Sequence, residues 1–123
     1  MDTIIKEFYN IPTTCISEEM EGLNNLNQMI KPVRDDIKTV GRAFTVKLRA
    51  TDNLMVLKAI REAKPGNVIV VDGKGYDYNA VCGDFVVSLA QTLGIEGIVI
   101  DGAVRDISGI RKLKYPVFCK AVT

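Results

Sequence analysis

Two short runs of β-branched residues dominate the hydrophobic pattern: Val68-Ile69-Val70-Val71 and Ile98-Val99-Ile100. Each runs into Asp-Gly, which reads as a buried strand with a turn signal at its end. Thr39 to Arg49 alternates and is rich in Val, Phe and Thr, which predicts another strand with Gly41 near its start. Pro116 to Cys119 predicts a fourth. Helical spacing fills the gaps. Asp52 or Asn53 can cap a helix to about Ala63, with Leu54, Leu57, Ala59 and Ile60 near one face. Gly83-Asp84 opens a helix to about Leu93, closed by Gly94, and Ile107 to Leu113 predicts a short one. Upstream, residues 2–9 predict a helix. Ser17, Glu18, Glu19 and Met20 read as the opening of another, and Pro32 with the polar stretch around Asp35 and Asp36 as a loop.

Strands alternating with helices predict right-handed crossovers and an α/β fold with a mixed, partly parallel sheet. The ends Asp72-Gly73 and Asp101-Gly102 then share one edge of that sheet. Asp-Gly is also ordinary turn chemistry, and both readings stand. Lys74 to Asn79 reads as a mobile glycine- and tyrosine-rich loop at the mouth of a site. Asp72 to Asp77, with Gly73 and Gly75, invites a nucleotide-binding reading but lacks the third glycine of a dinucleotide fingerprint and the Ser or Thr of a phosphate loop.

The chain has 123 residues, 16 basic and 15 acidic. That length predicts one domain over 1–123, and the charge balance gives no reason to expect nucleic acid or anionic lipid as partner. No apolar run reaches membrane-spanning length and no signal-peptide pattern is present, so a cytoplasmic protein is expected. Cys15, Cys82 and Cys119 form no metal spacing and read as reduced, buried thiols. There is no histidine. This removes Ser-His-Asp and Cys-His catalysis and any His-ligated metal site, leaving Asp, Glu, Lys, Tyr or metal-bound water for proton transfer.

Two segments carry candidate chemistry. Gly83-Asp84-Phe85-Val86 sits at a helix start, whose free N–H groups suit an anion; Asp84 as a simple cap is the alternative. Arg105-Asp106 follows a buried strand, where α/β proteins keep their sites. Arg can grip a carboxylate with its fork and Asp can hold a hard cation, or Asp106 can merely cap the next helix beside a surface Arg.

Along almost the whole length, short segments resemble one family. They are Pro12-Thr13-Thr14 with Ile16-Ser17, Ile30-Lys31-Pro32, Gly41 to Val46, Asp52-Asn53, Pro65 to Val68, Val71-Asp72-Gly73, Gly83-Asp84, Gly97 to Asp106, and Pro116-Val117-Phe118. In order and spacing they resemble the RraA-like family. It comprises 4-hydroxy-4-methyl-2-oxoglutarate aldolases, oxaloacetate decarboxylases and the regulator of ribonuclease activity A. The resemblance implies a single swivelling β/β/α domain. It implies that Arg105 binds the carboxylate of a small 2-oxo acid, that Asp106 holds a divalent cation, Mg²⁺ by preference, and that Gly83, Asp84, Phe85 and Val86 offer backbone amides to the substrate. The reaction implied is a lyase step, retro-aldol cleavage or decarboxylation, through a pyruvate enolate. Homotrimers or hexamers with sites at subunit interfaces are implied as well.

Two departures from the family pattern stand out. An acid is expected three residues after Asp106, where this chain has Gly109. The chain also ends at Thr123, where family members continue for tens of residues, so it reads as C-terminally short. A protein-binding regulator of ribonuclease E is the main alternative, and a methyltransferase another. A Schiff-base mechanism would call on Lys47 or Lys74, neither in a context that lowers a lysine pKa.

Overall fold

The computed structural model describes residues 2–49 and 53–123, without the Tyr76 side chain. Asp52, read above as a candidate cap, lies outside the described residues. Asn53 does stand at the N-cap of the helix that follows, without a side-chain cap bond.

In chain order the elements are α1 (Thr3–Tyr9), α2 (Thr13–Glu19), β1 (Lys31–Pro32), β2 (Arg42–Lys47), α3 (Leu54–Glu62), β3 (Asn67–Cys82), α4 (Asp84–Thr92), β4 (Gly97–Val104), α5 (Ile107–Lys112) and β5 (Val117–Val122). The sheet order is β1-β5-β4-β3-β2. Strands β2 to β5 are parallel, and β1 pairs antiparallel with β5. This is the α/β unit with a mixed, mostly parallel sheet that the alternation predicts. Because successive parallel strands are spatial neighbours and crossovers are right-handed, α3, α4 and α5 all fall on one face.

The core fills that face. Val56, Ala59 and Ile60 of α3, Val87 and Ala90 of α4 and Ile110 of α5 pack on Val46, Ile69, Val71, Ile98, Ile100 and Val117. Alternation along each strand sends the intervening residues to the other side. There, α1, α2 and residues 25–30 form a thinner cover, with two hollows of about 920 and 570 Å³ against the sheet. Neither α1 nor α2 contains a buried residue.

Several expectations need correction. Ser17 to Met20 close a helix rather than open one. Pro12, with φ fixed near −61°, starts α2 early, and Glu21 and Gly22 at positive φ stop it. Pro32, read as loop, joins Lys31 in an edge strand, where proline's missing N–H costs no ladder bond.

The two Asp-Gly pairs do not end their strands. Asp72 and Asp101 lie opposite one another in register, but β3 continues to Cys82 and β4 to Val104. Gly73 is needed for close approach: a Cβ there would stand 2.6 Å from the Asp101 carbonyl oxygen. Residues 74–79 are therefore not a free loop. They form an irregular stretch of β3, with Lys74 and Gly75 at positive φ and Tyr76 paired with Gly102. Cys82 and Cys119 are buried as expected, whereas Cys15, on the unburied α2, is exposed.

Candidate active site

β3 and β4 end side by side. The Arg105 N–H donates to the Cys82 carbonyl at 3.0 Å, which holds the two strand ends together. One residue later β3 turns through Gly83 into α4, and β4 turns through Arg105 and Asp106 into α5. Two helix starts thus meet at the carboxyl end of a parallel sheet, the usual place for chemistry in such folds.

Gly83 is the N-cap of α4, in extended conformation, and no side chain caps the helix. The first backbone bond of the helix runs from Val87 N–H to the Gly83 carbonyl, so the N–H groups of Asp84, Phe85 and Val86 have no partner within α4. Asp84 is therefore not the cap that one reading proposed. Val86 packs against the core while Phe85 is 77% exposed. The three amides thus border solvent beside an aromatic ring.

Asp106 stands at the N-cap of α5 but makes no capping bond. Its backbone is left-handed, φ 57° and ψ 44°, an uncommon state for a residue other than glycine. Its Oδ2 lies 3.7 Å from Arg105 Nε, with the two side chains 50% and 67% exposed. An ion pair so open to water adds little stability, so it does not account for the strained backbone.

Two glycines bring the helix starts into contact. A Cβ on Gly83 would lie 2.6 Å from Asp106 Oδ2, 2.9 Å from Arg105 Nε and 3.0 Å from Arg105 Cγ. A Cβ on Gly109 would lie 2.5 Å from Asp84 Oδ2 and 3.0 Å from Asp84 Cβ. Each helix start therefore lays an aspartate over the glycine of the other. The Gly83 backbone, the Arg105-Asp106 pair and the Asp84 carboxylate, all singled out in the sequence, are gathered in one corner. Gly109, which reads in the sequence as a missing acid, is the position that gives Asp84 its room.

Asp84 and Asp106 offer hard oxygen donors. Among the described residues the Asp84 carboxylate has no hydrogen-bond or ion-pair partner, and no cluster of three or more metal-ligating side chains occurs. Mg²⁺ commonly takes one or two carboxylates and completes its shell with substrate and water. The donor chemistry of Asp84 and Asp106 fits such a cation, and the bare Gly83 backbone leaves the room in which Asp106 and Arg105 lie.

Other candidates fall away. Burial raises the Cys82 thiol to about 12, with nearby Cys119 adding to the rise and Arg105 opposing it, so no thiolate nucleophile stands here at neutral pH. Lys74 lies 3.7 Å from Asp72 on β3, and Lys47 ends the edge strand β2 in register with Asp72; neither lies at the Cys82–Val104 strand ends that form this corner. The Asp72 to Asp77 segment runs inside β3 and does not form the strand-to-helix turn of a nucleotide loop.

Comparison with known proteins agrees with the fold and the motifs. The RraA-like family (Aldolase/RraA) matches residues 13–123. A Halalkalibacterium halodurans protein named "Putative 4-hydroxy-4-methyl-2-oxoglutarate aldolase" is 51% identical over 119 residues, which cover 97% of this chain and 57% of that protein. A Thermus thermophilis structure described as the RNA-processing inhibitor RraA superposes with a TM-score of 0.82 at 29% identity, over 93% of this chain and 69% of that one. A Geobacillus kaustophilus structure described as an S-adenosylmethionine:2-dimethylmenaquinone methyltransferase gives 0.82 at 26%, over 92% and 70%. The chain thus spans little more than half the length of the curated relative. Fold, motif order and sequence identity agree: the chain belongs to the RraA-like aldolase family.

Proposed function

We propose that this chain carries the pyruvyl-binding, cation-holding site of a lyase. Its substrate would be a small 2-oxo dicarboxylate, either 4-hydroxy-4-methyl-2-oxoglutarate or oxaloacetate. The carrying observation is the packing of Arg105 and Asp106 onto the bare backbone of Gly83, which brings a guanidinium and a carboxylate beside helix amides that have no partner within α4. The name of the Halalkalibacterium relative supports the same reading.

In this reading Arg105 grips the C1 carboxylate with its planar fork, and the amides of Asp84, Phe85 and Val86 orient it at the positive end of α4. Asp106, with Asp84 beside it, would hold the divalent cation. When bound, that cation supplies Lewis-acid stabilisation for the charge developing on the 2-oxo oxygen. Cleavage breaks the C3–C4 bond, and its electron pair passes into the pyruvyl half. In the aldol substrate the C4 hydroxyl gives up a proton, C3 takes one up, and a second pyruvate leaves; in oxaloacetate carbon dioxide leaves and C3 takes its proton from water. The fixed positive charge of Arg105 and the helix amides need not reorganise as charge develops. Nothing in this scheme calls for histidine.

Pyruvate release from oxaloacetate, corrected for the protein-free rate, should depend on Mg²⁺ and fall to background with EDTA. Asp106→Ala should lower it at least about 100-fold, on the order of removing one key electrostatic group. Arg105→Ala should act chiefly on KM. A rate indifferent to both EDTA and Asp106→Ala would exclude the metal role.

A second reading is a protein-binding regulator of ribonuclease E, favoured by the likeness to the Thermus structure described as an RNA-processing inhibitor. Saturable binding to ribonuclease E without lyase activity would favour it over the first.

A further inference from the structure

The carboxyl end of β2 lies on the same edge of the sheet as the corner. β2 ends at Lys47, and the Leu48 N–H donates to the Asp72 carbonyl at 3.0 Å, so the chain leaves the sheet alongside β3. The next residue, Arg49, is exposed. Arg34 and Arg42 are each paired with an aspartate, and Arg111 Nε donates to the Val33 carbonyl. Arg49 has no hydrogen-bond or ion-pair partner among the described residues. It lines a small hollow with Asn53, Gly73, Asn79 and Val81. Asn53 is the N-cap of α3, so the positive end of that helix borders the hollow as well. Val81 stands two residues before Gly83, no more than about 7 Å along an extended strand. A free guanidinium thus borders the same edge as Arg105, one short carbon chain away along β3.

Resting on the lyase reading of the corner, we propose that Arg49 is a specificity-determining residue. It holds the distal carboxylate of the substrate while Arg105 holds the proximal one, and it favours 4-hydroxy-4-methyl-2-oxoglutarate over oxaloacetate. In the aldol substrate the distal carboxylate is C5. It keeps its charge throughout and departs on the second pyruvate, so a cation on it stabilises substrate and transition state alike. In oxaloacetate the distal carboxylate is C4, one carbon nearer to Arg105, and it surrenders its charge as carbon dioxide forms. A guanidinium on that group would stabilise the ground state more than the transition state and slow the step. One arginine therefore helps the first substrate and lends nothing to the second.

Steady-state kinetics of the wild type, Arg49→Ala and Arg49→Lys on both substrates test this, with pyruvate as inhibitor to report on the corner alone. Arg49→Ala should raise KM for the aldol substrate about tenfold or more, the scale of a lost hydrogen bond to a charged group, with kcat little changed. Its kcat/KM for oxaloacetate should stay within about twofold of the wild type. Inhibition by pyruvate, which has no distal carboxylate, should be unchanged. Arg49→Lys should recover part of the lost affinity, keeping the charge without the fork.

Equal losses on both substrates, no loss on either, or weakened pyruvate inhibition in Arg49→Ala would overturn the role of Arg49 and leave the lyase reading standing. Turnover of oxaloacetate without turnover of the aldol substrate would overturn the preference in the same way. A wild type that cleaves neither substrate with Mg²⁺ present would overturn the lyase reading, and the role of Arg49 with it.

Discussion

Asp106 pays for its place in the corner with its backbone. Left-handed φ and ψ cost an L-residue about 1 kcal/mol or more, less for Asp than for bulkier residues. Its exposed pair with Arg105 returns little of that. Asp106→Gly should therefore keep or raise stability, by about 0.5–1 kcal/mol or a melting temperature about 2–4 °C higher, while abolishing Mg²⁺-dependent turnover. A melting temperature lowered by a similar amount would show that the side chain contributes to the fold. At this scale the sequence was informative about residue types and less so about contacts. Arg105 and Asp106 stand out from the strand-end pattern, and Gly83 from the helix start that follows it. The pairing of Asp84 with Gly109 does not, because 24 residues separate them and a glycine in a short helix carries no outward sign of what lies over it.

Between elements, burial sets the chemistry. Cys82 ends β3 and Cys119 lies on β5, both in the core. The thiol of Cys82 is neutral in the fold, with its pKa raised from 9.0 to about 12. A raised folded value means that this contribution to stability is whole below pH 9 and is lost as pH climbs toward 12. Melting temperature should therefore fall more steeply between pH 9 and 11 in the wild type than in Cys82→Ala; parallel curves would show that the thiol stays neutral in both states. Burial also raises the Tyr115 hydroxyl, which donates to the Ile95 carbonyl, so some alkaline loss should remain in the variant. Hydrophobic runs predict the existence of β2, β3, β4 and β5, and helical spacing that of α3, α4 and α5. Strand ends are harder to read. Asp-Gly signals a turn when glycine takes positive φ, but neither Gly73 nor Gly102 does; Gly73 serves a close approach of backbones instead, and both strands run on.

For the whole molecule, the one-sided placement of α3, α4 and α5 leaves a deep core on one face and a thin cover on the other. Cys15 sits in that thin cover while the other two thiols lie within the core. A thiol reagent such as Ellman's should therefore modify one of the three cysteines in the native protein and all three in denaturant. Rapid modification of a second thiol under native conditions would mean that the core opens readily. Among the described residues no helix is long and apolar enough to cross a membrane. The family and its α/β architecture are legible because the motifs recur in order along the chain, whereas the two-residue β1 is not, since so short a strand has no pattern of its own.

The meeting of the two helix starts has a consequence for how the corner is encoded. Everything that shapes it, from the Cys82 carbonyl to Gly109, comes from one β-strand end, one crossover and the next helix start, an unbroken stretch of residues 82–109. A single loop closure brings these groups together, so their arrangement needs neither α1 nor α2 nor the edge strand β1. Insertions or replacements in the first forty residues should leave its geometry standing, whereas any change in the length of α4 would slide one aspartate off the other's glycine and disassemble the corner at a stroke.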